Sequence, residues 1–245
     1  MSAVTIVSLL AGMSARRLRA LLGEDPMRAA EWVCAAAAEG LPAAQVCYGR
    51  MLLQGTGVPW NPGAAYRWFE RAAATGDPEA LNMVGRCLDN GWGCVEDAAA
   101  AAQCFLRAAH AGHSWAQYNA GHMFLDGRGV ARDPVSAYRY YLRAAEQNHE
   151  RAMNLLGRCC EEGWGTQRDA QAAADWYRRS AEAGYFRGQY NWATVLMNRG
   201  DIDQATAWFA RAAQGGNPAT KAAVSEWLNR AGAPPALRRL AAELR

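Results

Sequence analysis

Around Gly85 the chain alternates apolar and polar positions at helical spacing. Ala80, Val84, Cys87 and Leu88 share one side of a helix, while Asn82, Arg86 and Asn90 form the opposite stripe. The pattern returns every 36 residues, with Gly49, Gly85, Gly121 and Gly157 at one position and Ala193 in the fifth place. Each of these helices is predicted to end at Gly55, Gly91, Gly127 or Gly163, where glycine takes the left-handed backbone that closes a helix. A second glycine follows two residues later in each case. The next helix then starts at an N-cap, Asp25, Asn61, Asp97, Asp133, Asp169 or Asp201, with Pro26, Pro62 and Pro134 at the first helical position after three of them.

These second helices carry columns of their own. Ala29, Ala65, Ala101, Ala137, Ala173 and Ala205 hold one column without exception. An aromatic column reads Trp32, Trp68, Cys104, Tyr140, Trp176 and Trp208, which predicts packing residues, and beside it run Val33, Phe69, Phe105, Tyr141, Tyr177 and Phe209. Gly40, Gly76, Gly112, Asn148 and Gly184 mark where each second helix gives way to the following unit. The last unit is four residues shorter because the glycine loop is missing between Met197 and Asp201. Neither kind of helix can bury its apolar face alone, so the units must stack. The prediction is an all-α solenoid of about six helix-turn-helix repeats and about thirteen helices. It forms one domain over 1–245, with a degenerate cap at 1–24, repeats over 25–216 and a C-terminal cap over 217–245 broken at Pro234 and Pro235.

Composition agrees and narrows the function. Of 245 residues, 53 are alanine, about 22%, which suits helices in close contact and argues against a sheet. A net charge of +3 is too small for a general attraction to nucleic acid or an anionic membrane. The apolar stretch from Val4 to Ala15 is shorter than the ~20 residues of a spanning helix. Basic residues follow that stretch instead of preceding it, unlike a signal peptide. Seven irregularly spaced cysteines do not form the framework of a secreted domain, so a cytoplasmic location with reduced thiols is expected ahead of a periplasmic or secreted one.

The segment Trp115-Ala-Gln-Tyr-Asn-Ala-Gly121, followed by Gly127-Arg-Gly-Val130, Asp133, Ala137, Tyr140-Tyr141 and Ala144-Ala145, resembles the Sel-one-like repeat, a relative of the tetratricopeptide repeat. The likeness covers roughly residues 29 to 216. It implies a right-handed superhelical α-solenoid that acts as a scaffold for protein partners and has no chemistry of its own. The paired cysteines of the family's disulfide-stapled secreted branch do not recur here, and Cys87, Cys104 and Cys159 read as small core side chains.

In solenoids of this kind the polar stripe of the first helix lines the concave groove. Here that stripe carries Arg50, Arg86, His122 and Arg158. Asn82, Tyr118, Asn154 and Tyr190 stand four residues before members of this column, and Gln54, Asn90, Asp126 and Glu162 four residues after. Arginine beside amide and phenol groups offers donors to carboxylates and peptide carbonyls, so an extended acidic or C-terminal segment of a partner is the expected ligand. Trp60, Trp92 and Trp164 sit at the glycine loops, either folded over the next helix or standing as rim anchors. A second arginine column, Arg71, Arg107, Arg143, Arg179 and Arg211, reads as side chains laid over alanines or capping helix ends. Glu70, Glu146 and Glu182 nearby dilute any basic track for nucleic acid.

Cys159-Cys160 has no flanking ligand, no cysteine pair has zinc-clip spacing, and His113 and His149 fall in separate units. No phosphate cradle, nucleophile elbow or helical His-Glu-x-x-His run is present. The expectation is a protein-binding adaptor, not an enzyme. It should need no cofactor or metal, bind neither nucleic acid nor membrane, and be a monomer or weak homo-oligomer. The alternative is an immunity-like regulator that sequesters one folded enzyme or toxin.

Overall fold

The structure, a computed structural model, describes residues 25–216 together with Ala222, Ser225 and Leu228. The expected cap at 1–24, and all of 217–245 apart from those three residues, lie outside the described residues. Every regular element described is a helix. They are α1 (Pro26–Ala38), α2 (Pro42–Gln54), α3 (Pro62–Ala73), α4 (Pro78–Asn90), α5 (Ala98–His110), α6 (Ser114–Asp126), α7 (Pro134–Glu146), α8 (Glu150–Glu162), α9 (Ala170–Glu182), α10 (Phe186–Asn198) and α11 (Ile202–Gly215). They group into two compact units, α1 to α6 up to Arg132 and α7 to α11 from Asp133 onward. Within each unit every helix packs on the next. Alternate helices also touch, α2 on α4 and α4 on α6 in the first unit, and α8 on α10 in the second.

The helix ends follow the predicted signals. Asp25 accepts from the Arg28 amide at 3.0 Å, Asn61 from Ala64 at 2.9 Å, Asp97 from Ala100 at 2.9 Å and Asp169 from Ala172 at 2.9 Å; Asp133 accepts from both Val135 and Ser136. Asp201 departs from the column, because its side chain makes no capping bond. Three of the even-numbered helices, α4, α6 and α8, have side-chain caps outside the predicted column, whereas α2 and α10 have none. Asp77 accepts from the Ala80 amide, and His113 and His149 do the same through Nδ1 for Ala116 and Ala152. Gly55, Gly91, Gly127 and Gly163 close α2, α4, α6 and α8 with φ between 66° and 76°. Asn148, at φ 61°, takes the left-handed place that glycine holds in the other repeats.

Small residues set how closely the helices approach. The alanine column from Ala29 to Ala205 is buried throughout, and the ring column beside it is buried from Val33 to Phe209. Gly49, Gly85 and Gly157 lie directly beneath the rings of Phe69, Phe105 and Tyr177, so that a Cβ on any of them would fall 2.5 to 2.7 Å from a ring carbon. The second loop glycine forms the other tight joint. A Cβ on Gly57, Gly93, Gly129 or Gly165 would lie 1.9 to 2.2 Å from the carbonyl oxygen of Pro26, Pro62, Ala98 or Pro134, each the first residue of the preceding odd-numbered helix. Three of the loops also tie back through the cap residue: Asn61, Asp97 and Asp169 donate their amides to the carbonyls of Leu52, Leu88 and Cys160. These contacts hold the glycine loops, and the tryptophans on them, at one face of the helix pairs.

Candidate functional site

In the first unit, two of the predicted stripe residues and two of the predicted loop anchors come together. Arg50 on α2, Arg86 on α4, and Trp60 and Trp92 on the two glycine loops line one cavity of about 290 Å³, with Leu53, Gln54, Pro62 and Met83 completing it. The guanidinium of Arg50 pairs with the carboxylate of Glu79 in the first turn of α4. Arg86 stacks over the Trp92 indole with its guanidinium carbon 5.1 Å from the ring centre, and its Nη1 approaches the Met83 sulfur at 3.7 Å. Stacking uses the faces of the guanidinium, whose N–H groups point outward in its own plane. Trp60 is 68% exposed. The cavity thus joins an apolar aromatic wall to fixed cationic donors, which suits an apolar side chain with a neighbouring carboxylate or carbonyl.

The rest of the stripe is not uniformly exposed. Asn82 and Asn154 are buried, and each accepts a hydrogen bond at its amide oxygen, Asn82 from Asn119 at 2.9 Å and Asn154 from Asn191 at 2.8 Å. They tie α4 to α6 and α8 to α10, and their burial reflects the neighbouring helix that one amphipathic helix cannot reveal. Tyr118 is half-buried, edge-on to His122 at 4.7 Å between ring centres, and Tyr190 is half-buried edge-on to Phe209 at 5.6 Å. Burial pushes the His122 imidazole below the ordinary histidine value, against the opposing pull of Asp126 and Asp89. Arg50, Arg86 and Arg158 remain exposed, as do Gln54, Asn90, Asp126 and Glu162 at the ends of their helices. In the second unit Arg158 stacks over Trp164 at 4.8 Å, repeating the Arg86–Trp92 pair two repeat lengths later.

Six segments match the Sel1 repeat, at residues 20–41, 42–77, 78–113, 116–149, 150–185 and 187–217. The chain belongs to the Sel1 repeat family. Solved structures carry the same fold. A Sel1 repeat protein from Oxalobacter formigenes is 24% identical, with a TM-score of 0.82 over 94% of this chain and 97% of that one. A protective antigen present in uropathogenic Escherichia coli strains, displaying an SLR fold, is 25% identical with a TM-score of 0.70 over 93% of this chain, which spans half of that protein's length. The immunity protein PA5088 from Pseudomonas aeruginosa, 16% identical with a TM-score of 0.57 over 83% of this chain and 78% of that one, shares the fold alone. No curated protein matches the chain.

On this Sel1 scaffold the tryptophan column flanks the core, with Trp68, Trp176 and Trp208 packed against it. Trp32, Trp68, Trp176 and Trp208 are half-buried, and the neighbouring column of Phe69, Phe105, Tyr141, Tyr177 and Phe209 fills the interior. The second arginine column covers these outer rings. Arg71 lies 4.8 Å from the Trp68 ring centre, Arg143 5.7 Å from Tyr140, Arg179 4.3 Å from Trp176 and Arg211 4.6 Å from Trp208. The three-residue spacing of ring and arginine was the available signal for this stacking. Arg107 has Cys104 at the corresponding place and no ring below it.

The seven cysteines are unbridged. Burial pushes the thiols of Cys87 and Cys159 up to about 12, which keeps both protonated and inert at neutral pH. Among the described residues no group of three His, Cys, Asp or Glu side chains gathers to hold a metal, and no helix is long and apolar enough to cross a membrane.

Proposed function

We propose that this protein is a non-catalytic adaptor that holds an extended segment of a partner protein against the even-numbered helices, anchored in the Arg50–Arg86–Trp60–Trp92 cavity. Sel1 repeats generally mediate protein–protein interaction, and the scaffold is generally non-catalytic. The observation that carries the finer reading is the convergence of two arginines from successive repeats and two loop tryptophans on a single cavity. Apolar rings supply contact area, and the guanidinium edges supply donors to a carboxylate or to main-chain carbonyls. Arg158 stacked on Trp164 supports the same chemistry in the second unit.

The test is affinity capture from the native cell with the intact protein and with an Arg86→Glu/Arg158→Glu variant, followed by titration of overlapping peptides from whatever is captured. The adaptor reading expects a captured protein that the variant loses, together with one short peptide that binds in isolation. A partner retained normally by the variant would remove the arginines from the site. One recognised only as a folded body, and inhibited on binding, would favour the immunity-like alternative.

A further inference from the structure

Among the even-numbered helices, α4 and α8 match each other, two repeat lengths apart, more closely than either matches α2 or α6. Asn82 and Asn154 share a column that holds Val46 and Tyr118 in the other two helices, and Cys87 and Cys159 stand where those have Met51 and Met123. Trp92 and Trp164 share a loop position that is Thr56 or Arg128 elsewhere. The structure repeats with the sequence. Each asparagine is buried and bonded to one from the next even-numbered helix, and each arginine lies over its loop tryptophan, Arg86 on Trp92 at 5.1 Å and Arg158 on Trp164 at 4.8 Å. One member of the pair lies in each compact unit.

In the second unit the acids beside the arginine are held by other groups. Glu161 accepts from the Tyr177 hydroxyl at 2.6 Å, and Glu162 faces the Arg168 guanidinium at 4.0 Å. Among the described residues no carboxylate pairs with Arg158, which is exposed, whereas Arg50 in the first unit is paired with Glu79. A guanidinium oriented by an indole and lacking an ion-pair partner suits a carboxylate, and the indole beside it adds apolar contact area.

We propose that Arg158 and Trp164 form a second anchor, in the second unit, for a carboxylate beside an apolar side chain, and that the protein recognises a partner presenting this element twice. The inference rests on the adaptor reading and adds to it a second site and a partner of matching valency. Trp60 has no counterpart in the later loops, where Glu96, Arg132 and Arg168 stand at its place. The second anchor thus has one tryptophan where the first has two, and it binds the same segment more weakly. On a partner carrying both segments, the first contact makes the second intramolecular, so even a weak anchor raises the overall affinity.

Selection of a phage-displayed random dodecapeptide library on the full-length protein supplies the probe, and the enriched peptide is then titrated by calorimetry. The expected result is an acid next to an apolar residue in the peptide and two peptides bound per chain at saturation. Arg158→Glu and Arg158→Gln variants, shown by their thermal melts to be folded, should weaken the lower-affinity site at least tenfold and leave the tighter site unchanged. Two copies of the peptide joined by Gly-Ser linkers of graded length should bind at least tenfold tighter than one copy at some length, a gain that Arg158→Glu abolishes. Saturation at one peptide per chain, or two sites that ignore both Arg158 variants, would overturn the second anchor and leave the adaptor reading standing. A tandem peptide with no gain at any length would overturn the twofold partner. Absence of any enriched linear peptide would overturn the second anchor and the adaptor reading together.

Discussion

At the scale of single residues, the closest contacts are made where a side chain is missing. Gly85 lies under Phe105, where a Cβ would come within 2.7 Å of the ring, and Gly157 lies likewise under Tyr177. Gly85→Ala should therefore overpack the joint and cost about 1 to 3 kcal/mol in urea denaturation. Gly76→Ala, where nothing lies within 4 Å and only the left-handed φ of 84° opposes a methyl, should cost about 1 kcal/mol. A smaller cost at Gly85 than at Gly76 would contradict the contact. The glycine columns were legible in the sequence as helix-period marks, but the ring above each was not, because the two residues lie on different helices. The same limit applies to Asn82. One helix taken alone places it on the polar stripe, whereas in the structure Asn119 from the next repeat covers it.

At the scale of helices, start signals repeat more faithfully in sequence than in structure. Asp97 enters its helix from an extended backbone, φ −145°, and caps it, whereas Asp201, after the shortened connection, enters at φ −81° and makes no capping bond. Asp97→Ala should cost about 1 kcal/mol by chemical denaturation, and Asp201→Ala close to nothing. The histidine caps add a pH dependence. His113 caps α6 by accepting at Nδ1, and burial is the main cause holding its basicity below the ordinary value, with Glu79 and Asp77 opposing. A group whose folded pKa is depressed stabilises the fold above its unfolded value, near 6.5, and loses that contribution as the pH falls through the folded value. Between pH 7.5 and pH 5 the melting temperature should fall, and His113→Asn, which caps without titrating, should reduce that fall by about 2 to 4 °C. An identical pH profile in the variant would show that the cap does not sense protonation.

For the whole chain, six matched repeats with helix-to-next-helix packing account for the alanine content and for the recurrence of the same contacts in both units. Repeat period, loop glycines and buried alanine column could all be read from spacing, because stacking identical units requires identical contacts. The binding face was legible only in part. Arg50, Arg86, Trp60 and Trp92 were each singled out, but their meeting in one cavity depends on two glycine loops being held against the helices that precede them.

The central claim is that this cavity anchors a partner segment, and Trp60 tests it with least disturbance because its 68% exposure leaves little packing to lose. The decisive measurement is the affinity of the identified partner peptide for the intact protein and for Trp60→Ala. The account predicts a loss of about thirtyfold, the scale of an interface anchor, with the melting temperature unchanged. An unchanged affinity would contradict it.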